Sequence, residues 1–554
     1  AADRQQRQIC TKDTTGLMNG AVFFAGGKDA TVTPHTTNSY RNLNVGFFDD
    51  ERTERAVVDL AQADSITFFL GAGVSANQNV PPWADLVRHL LTSSLKGDIS
   101  QQTLFDRGRL KTFPQAIIDS YFQLPMASAV DGLLLDAGHT DAVAQRNGMI
   151  RNLIYGDNDQ RSFLQRPSLA REVVLTAIVL KASGQNVHIL TTNYDAIIEE
   201  IAAQDEEVAR LRNEWSLTFK SYTDSPGEIP DNEIPIVHIH GYIPRNGEPR
   251  EVVFSEPDYV HWADRADLLR YVQRRFDTGH TVMLGASLRD HNIISYLKNT
   301  DLNARKKYAL LPLQGDGAYD IGCKVGFDII SAIQGVRARA LGIQALFPDF
   351  FGQVNQFLIE LRTAAALRGD QSYAEVSYRR RIRQWESDLQ SYSYGDDDTR
   401  RENTEKLRRI SEEIGAILPE ADHTKVELWA RNTIDARTLE LWCTSQSTYL
   451  GTGYWRHSKK IELASNSPAV LSFANRSVTL GRVVDRLDDR WTHYLTVPII
   501  LDEEPYGLIP VGSVVALFHA PDVQDARLPT DEVRTGRIRD LLLVCGTELL
   551  NPAD

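Results

Sequence analysis

The sequence predicts an α/β protein: a Rossmann-like, doubly wound parallel sheet with a helical insertion, followed by a helical linker and a smaller α+β domain. Three observations predict it. Between about 55 and 365, short apolar runs alternate with segments of helical period. Several of those runs end in motifs that carry Gly, Asn and Asp. Beyond about 420 the pattern changes to period-two strands. At about 100–200 residues per domain, a chain of 554 residues holds two to four domains.

The elements follow in chain order. The first 50 residues are rich in Thr, Asn and Gly with weak periodicity, so 1–54 reads as an N-terminal arm. The candidate strands of 55–365 are 66–70, 187–190, 234–239, 281–284, 308–313 and 341–347. Each is short and apolar on both faces, as in a buried parallel strand. Between them lie helical segments such as 83–95, where Leu86, Leu90 and Leu91 share a face. The stretch 97–180 holds no clear strand and reads as a helical insertion or cap. In 366–420, Tyr378, Ile382, Trp385 and Leu389 repeat at helical spacing. After an acidic break at 395–398, Leu407, Ile410, Ile414 and Leu418 do the same. These predict two amphipathic helices joining domains. The Arg379–Arg381 run reads as a solvated helix face. In 421–554, KVELWAR and TLELWCT alternate with period two, and HYLTVPII and GSVVALF are further strands. Thr530 can cap a closing helix with Ile538, Leu542, Cys545 and Leu549 on one face.

Composition narrows the function classes. The formal net charge of -14 argues against a nucleic-acid partner, because such binding neutralises phosphates with Lys and Arg. The four cysteines, Cys10, Cys323, Cys443 and Cys545, are far apart and form no CxxC pair. Neither a zinc ribbon nor a disulfide framework is expected, and no metal. A reducing compartment fits, with the cytoplasm as the expected location. The opening AADRQQRQ lacks the apolar core of a signal peptide, and no run of about 18 apolar residues predicts a membrane span.

Four motifs carry chemistry. ITFFLGAGVSA at 66–76 runs a buried strand into Gly71-Ala72-Gly73, with Ser75 next. Glycines let the backbone turn and approach a phosphate, and a following helix would offer free amides to the anion. A plain tight turn explains the same residues. HILTTNYDAIIEE at 188–200 sets Asn193 and Asp195 at a strand end, where a helix cap is the alternative. IVHIHGYIP at 236–244 ends a strand on His240-Gly241, with His238 two residues earlier on the same side. His238 reads as a core residue, whereas His240 faces a strand end where its ring could meet a ligand. VMLGASLRDHNI at 282–293 places Gly285, Ser287, Asp290 and Asn292 after another strand, where Ser and Asn could bond ribose or phosphate. Ligands of open α/β sheets bind at the carboxyl ends of strands, near the switch point. Four such strand ends in sequence are hard to explain as four independent caps.

At these residues the chain resembles the sirtuin-like (Sir-two) family over roughly 55–365. GAGVS is similar to that family's opening Gly-Ala-Gly-[Ile/Val]-Ser motif, TTNYD to its Thr-x-Asn-x-Asp, and HIHG to its catalytic His-Gly. GASLRDHN resembles the Gly-x-Ser-x-x-Asp-x-Asn form of bacterial sirtuin-like NAD hydrolases. The resemblance implies NAD as substrate. Gly71, Ala72, Gly73 and Ser75 would surround its diphosphate and adjoining ribose. Asn193 would orient the water or the nicotinamide side, Asp195 would contact the carboxamide, and His240 would act on a ribose hydroxyl as general base. Ser287, Asp290 and Asn292 would line the adenosine half, and Gly285 would be a further cofactor-binding residue. Two departures from the family's protein deacetylases stand out. The zinc module with four cysteines is missing. The loop NVPPWADL has Trp83 in place of a Phe-Arg pair. Both match the NAD-hydrolase branch, which in bacteria serves defence against phage.

Residues 423–550 resemble a GAF domain in the order of their hydrophobic segments. That resemblance implies a small-molecule pocket, a cyclic nucleotide among the candidates, and self-association into a homo-oligomer. Cys443 admits a bilin or redox role, although a lone strand cysteine is usually core. Three activities fit: a regulated NAD hydrolase, a module that senses NAD or ADP-ribose without turnover, and a zinc-free deacylase.

Overall fold

The computed structural model describes residues 46–78, 80–95, 123–156, 163, 168–286, 288, 294, 297, 306–311, 333–367, 373–393, 397–432, 437–446, 457–461, 465–483, 491–503, 505–519 and 532–552. Two sheets organise them. The first has seven strands: β1 (Ser65–Leu70), β2 (Asn186–Thr191), β3 (Thr218–Tyr222), β4 (Glu233–His238), β5 (His280–Leu284), β6 (Lys307–Leu310) and β7 (Ile343–Leu346). Their order is β3-β4-β2-β1-β5-β6-β7, and every pairing is parallel. The chain leaves β1 toward β2 and β4, then crosses back to β5 on the other flank of β1. The switch point lies between β1 and β5.

The apolar runs become strands because both faces are covered. Phe68 and Leu70 face a core with Val173, Val174, Phe357 and Leu358, from the helices Leu169–Ala182 and Gly352–Ala366. Phe69 faces the opposite core with Leu268, Val272 and Phe276 of the helix Ala266–Thr278. β3 escapes sequence detection for the same reason inverted. It is an edge strand, none of its five residues is buried, and TFKSY carries no apolar run.

Within 97–180 the described residues form the helices Gln123–Asp136, Ala142–Tyr155 and Leu169–Ala182. Asp141 caps the second by accepting from Ala144 N at 2.8 Å. Its last residue, Tyr155, donates its hydroxyl to Ile243 O at 2.7 Å and accepts from Ala196 N at 3.0 Å. The insertion is thereby tied to the loops after β2 and β4.

The second sheet is antiparallel throughout: β8 (His423–Arg431), β9 (Thr438–Thr444), β10 (Ser458–Lys460), β11 (Thr479–Arg482), β12 (His493–Leu501) and β13 (Ile509–His519), in the order β10-β9-β8-β13-β12-β11. The helices Tyr378–Ser393, Asp397–Ile417 and Glu532–Leu550 share one core with it, through Tyr378, Ile382, Trp385, Leu389, Leu407 and Ile414. Trp385 Nε1 donates to Leu550 O at 2.9 Å. Cys443 and Cys545 are buried in this core, and burial pushes both thiols up, so neither is poised as a thiolate. The helix Pro468–Asn475 covers the opposite face, with Phe350 from the end of the first fold packed on Phe473. Cys10, Cys323 and Thr530 lie outside the described residues.

One part of the arginine run departs from expectation. Arg380 is exposed, but Arg381 turns inward and pairs with Glu360, a fully buried carboxylate. Glu360 also accepts from Tyr373 Oη at 2.8 Å, Tyr378 N at 2.9 Å and Gln356 Nε2 at 2.8 Å. The helical pattern of 378–389 explains Ile382 and Trp385, but a pattern cannot show that a carboxylate waits opposite Arg381. Gln356 in turn donates to Leu508 O at 3.0 Å and accepts from Arg476. This polar cluster joins the helix after β7 to the second sheet. Breaking a buried pair by removing one charge costs about 3–5 kcal/mol. Glu360→Gln is expected to lower unfolding stability by about that amount, read from a denaturant titration; an unchanged midpoint would show that the cluster contributes nothing.

Candidate functional site

Register places the site. Leu70 of β1 pairs with Thr191 of β2 and Leu284 of β5, and Thr191 pairs with His238 of β4. Gly71, Thr192, Ile239 and Gly285 therefore stand side by side, one residue past the four strand ends. The strand-end bonds continue into the loops: Gly71 N to Leu284 O at 2.9 Å, Thr192 N to Leu70 O at 3.1 Å and Ile239 N to Thr191 O at 2.8 Å.

The glycines make the loops after β1 and β5 touch. A Cβ on Gly71 would lie 2.6 Å from Gly285 O, and one on Gly73 would lie 2.7 Å from Gly285 Cα. Gly285 has φ +63°, and its Cβ would meet Val74 N at 2.5 Å. Real Cβ contacts are not that short, so all three positions need glycine for backbone packing. The expected presentation of free amides is not met here. Gly73 N donates to Gly285 O at 3.0 Å, Val74 N to Gly71 O at 3.0 Å and Ser75 N to Ala72 O at 3.1 Å. The chain runs through short 3-10 turns, Ala72–Val74 and Ala76–Gln78, and enters a helix only at Trp83. Pro81 and Pro82 account for the delay, since proline disfavours helical backbone in the residue before it.

Three of the expected site residues meet. Ser75 Oγ donates to Asp195 Oδ2 at 2.9 Å, and Asn193 Nδ2 donates to Ser75 Oγ at 3.0 Å and to Gly71 O at 3.2 Å. Asn193 N bonds Thr191 Oγ1 at 3.0 Å, and Ile197 N bonds Asp195 Oδ1 at 3.2 Å. Both loops are thus laced together by side chains as well as by glycine packing. Asp195 is buried, and desolvation raises its carboxyl to about 6. The bonds from Ser75 and Ile197 N and the charge of His238 oppose that rise, while Glu199 adds to it.

The two histidines part company. β4 ends at His238 and residues 239–240 turn, so alternation no longer puts both rings on one side. Gly241 allows the turn, with φ +93° and a hypothetical Cβ only 2.1 Å from Glu251 O. The His240 ring packs edge-on against Tyr259 and Trp262, each at 5.5 Å between centroids. His238 instead reaches Asn193 O through Nδ1 at 3.0 Å and Glu199 Oε1 through Nε2 at 2.8 Å. It is buried, as the core reading expects, but by polar partners of the loop that carries Asn193. Sequence reasoning missed Thr191, Glu199 and Ser221, which donates to Glu199. The one available signal for Glu199 is its place in the first turn of the helix Ile197–Gln204, four residues after Asp195. Ser287, Asp290 and Asn292 lie outside the described residues.

Comparison with protein families matches residues 187–318 to the SIR2-like domain. The match opens in β2 and spans Asn193, Asp195, His240 and Gly285. It leaves out β1 and the Gly71–Ser75 turn, which strand register brings to the same place. Comparison with curated proteins finds no match. A SIR2-like domain points to NAD-related activity, and such domains are often NAD-dependent enzymes. Among the described residues no group of three or more His, Cys, Asp or Glu is placed to hold a metal, and no helix is long and apolar enough to cross a membrane.

The raised carboxyl of Asp195 has a consequence for stability. Its folded value, about 6, exceeds the model-peptide value of 3.8, so the folded state holds the proton more tightly. Stability from this group is full below pH 3.8 and is lost as pH rises through 6. The loss is on the order of 3 kcal/mol at about 1.4 kcal/mol per pH unit. Asp195→Asn should therefore gain stability relative to the unsubstituted protein between pH 4 and 7, measured by denaturant titration across that range. A stability difference that stays constant with pH would refute the buried, raised carboxyl.

Proposed function

We propose that the first fold hydrolyses NAD at the bond between nicotinamide and ribose, giving nicotinamide and ADP-ribose. The observation that carries this reading is the hydrogen-bonded set Ser75, Asn193 and Asp195, assembled beside the switch point of a parallel sheet. Its loop after β2 falls inside the SIR2-like match.

The bond breaks through an oxocarbenium-like state, so the site must hold the leaving group, shield the cation and direct water. In this reading the Asp195 carboxylate accepts from the nicotinamide carboxamide. Asn193, anchored by its amide nitrogen, turns its side-chain oxygen toward the water. Ser75 is buried and bonded to both, so it fixes their relative position. His240 acts on a ribose hydroxyl as general base. Gly71, Ala72 and Gly73 bring backbone close to the diphosphate, with Gly285, Ser287, Asp290 and Asn292 toward the adenosine half. Positioning of this kind supplies most of the rate, with general base work adding about 10²–10⁴-fold.

Hydrolysis is favoured over deacylation by the sequence and by packing. The chain has four cysteines and no CxxC pair for a zinc module. Trp83, standing where deacetylases carry Phe-Arg, is packed on Phe254 at 5.0 Å. Along the chain, 1–54 is then the N-terminal arm, 55–365 the NAD-cleaving domain, 366–420 the helical linker and 421–554 a GAF-like sensor or oligomerisation domain. The antiparallel sheet with helices on both faces supports the GAF-like reading. A small molecule or cyclic nucleotide would act there as activator of a cytoplasmic homo-oligomer serving defence against phage.

The test is nicotinamide release from NAD by the full chain, with and without an acyl-lysine peptide, against a panel of cyclic nucleotides. Release without peptide is expected. Asn193→Ala and His240→Ala should each cut it about 10²-fold or more while the protein stays folded by circular dichroism. Tight NAD binding with no release under any activator would replace hydrolysis by sensing. Release only with peptide would replace it by deacylation. Full turnover in His240→Ala would remove His240 from the mechanism.

A further inference from the structure

His238 reads from the sequence as core, yet each of its ring nitrogens meets an oxygen acceptor. Nδ1 lies 3.0 Å from the backbone carbonyl of Asn193. A carbonyl oxygen can only accept, so Nδ1 carries a proton. Nε2 lies 2.8 Å from Glu199 Oε1, which also accepts from Ser221 Oγ on β3. Glu199 Oε2 is buried with no hydrogen-bond partner among the described residues, so the carboxyl is held through Oε1, where His238 and Ser221 meet it. The chain of contacts runs from the edge strand through Glu199 and His238 to Asn193, and from Asn193 to Ser75 and Asp195.

We propose that His238 is a positioning residue, held as an imidazolium by Glu199, whose Nδ1–H fixes the Asn193 peptide and with it the side chain that faces the reacting bond. This rests on the NAD-cleaving reading of Asn193. With Glu199 ionised, the geometry sets the requirement: a neutral ring has one N–H and can keep only one of the two bonds. When His238 loses its proton, either Asn193 O or Glu199 is released.

The direction with pH follows. Burial opposes the imidazolium, but Glu199 by charge and hydrogen bond, the Asn193 carbonyl and the Asp195 charge favour it, and the net effect raises His238 above 6.5. Other groups face the same space. The Tyr242 ring lies 4.4 Å from the imidazole, and burial keeps its phenol neutral. Arg250 sits over that ring at 5.9 Å, and Glu200 is paired with Arg245 at 2.7 Å. The fixed Asn193 is therefore present at low pH and lost as pH rises through the folded value of His238.

The experiment follows kcat and KM for nicotinamide release by the full chain against pH. It compares the unsubstituted protein with Glu199→Gln, Glu199→Asp and His238→Gln. Histidine Cε1–H NMR on labelled protein is recorded in parallel, with the His238 signal assigned by its absence in His238→Gln. Glu199→Gln is expected to move the alkaline limb of kcat, and the His238 titration with it, down by at least about one pH unit. Glu199→Asp should restore part of the shift, and His238→Gln should lower kcat more than it raises KM. An alkaline limb that ignores Glu199→Gln, or a His238 signal already neutral at pH 6.5, would overturn the proposal. Absence of turnover in the unsubstituted protein would overturn the NAD reading instead, and the NMR titration would still decide the state of His238. If His238→Gln fails to fold, the two Glu199 variants carry the test.

Discussion

Everything at the candidate site depends on one steric constraint, the contact of the loop after β1 with the loop after β5. Gly71, Gly73 and Gly285 leave no room for a side chain between them, and Gly71 N and Gly73 N bond across the gap. The sheet brings these strands to the same level, because Leu70 pairs with Leu284. At a switch point, crossovers leave in opposite directions and a crevice opens. Here the glycines hold the floor of that crevice closed, and Asn193 and Ser75 lace its wall from the β2 side.

Buried polar groups supply the second theme. Asp195 and Glu360 are carboxylates taken out of water, Glu199 is largely so, and each is answered differently. Glu360 meets three neutral donors and an arginine, which makes it a structural joint. Glu199 meets a histidine and a serine, which couples its charge to a group that can itself gain or lose a proton. Asp195 has donors but, among the described residues, no cation bonded to it, so desolvation prevails and its carboxyl rises. Perturbed carboxylates of that third kind collect where chemistry is done.

Much of this was legible in the sequence, and the failures have causes. Six of the seven parallel strands announce themselves as apolar runs, because burial on both faces demands them. The seventh, β3, is an edge strand with no buried residue and carries no such signal. Asn193, Asp195 and Ser75 were legible because strand-end motifs keep their residues close in sequence to the strands that place them. The different orientations of the His238 and His240 rings were not, since strand alternation fails once residues 239–240 turn. Nor were the bonds from Gly71 N and Gly73 N to Leu284 O and Gly285 O, which depend on a segment more than 200 residues away. Glu199, Ser221 and Glu360 act through partners on other elements, and no local pattern encodes that.

The proposed cleavage of NAD falls where the loops after β1 and β2 meet. The most direct measurement is an experimental structure of the Asn193→Ala protein with NAD bound. The nicotinamide ribose is expected beside Ser75 and Asp195, with the diphosphate crossing the carboxyl ends of β1 and β5. NAD bound at the second sheet, or an ordered NAD whose nicotinamide end lies away from residues 193–195, would contradict it.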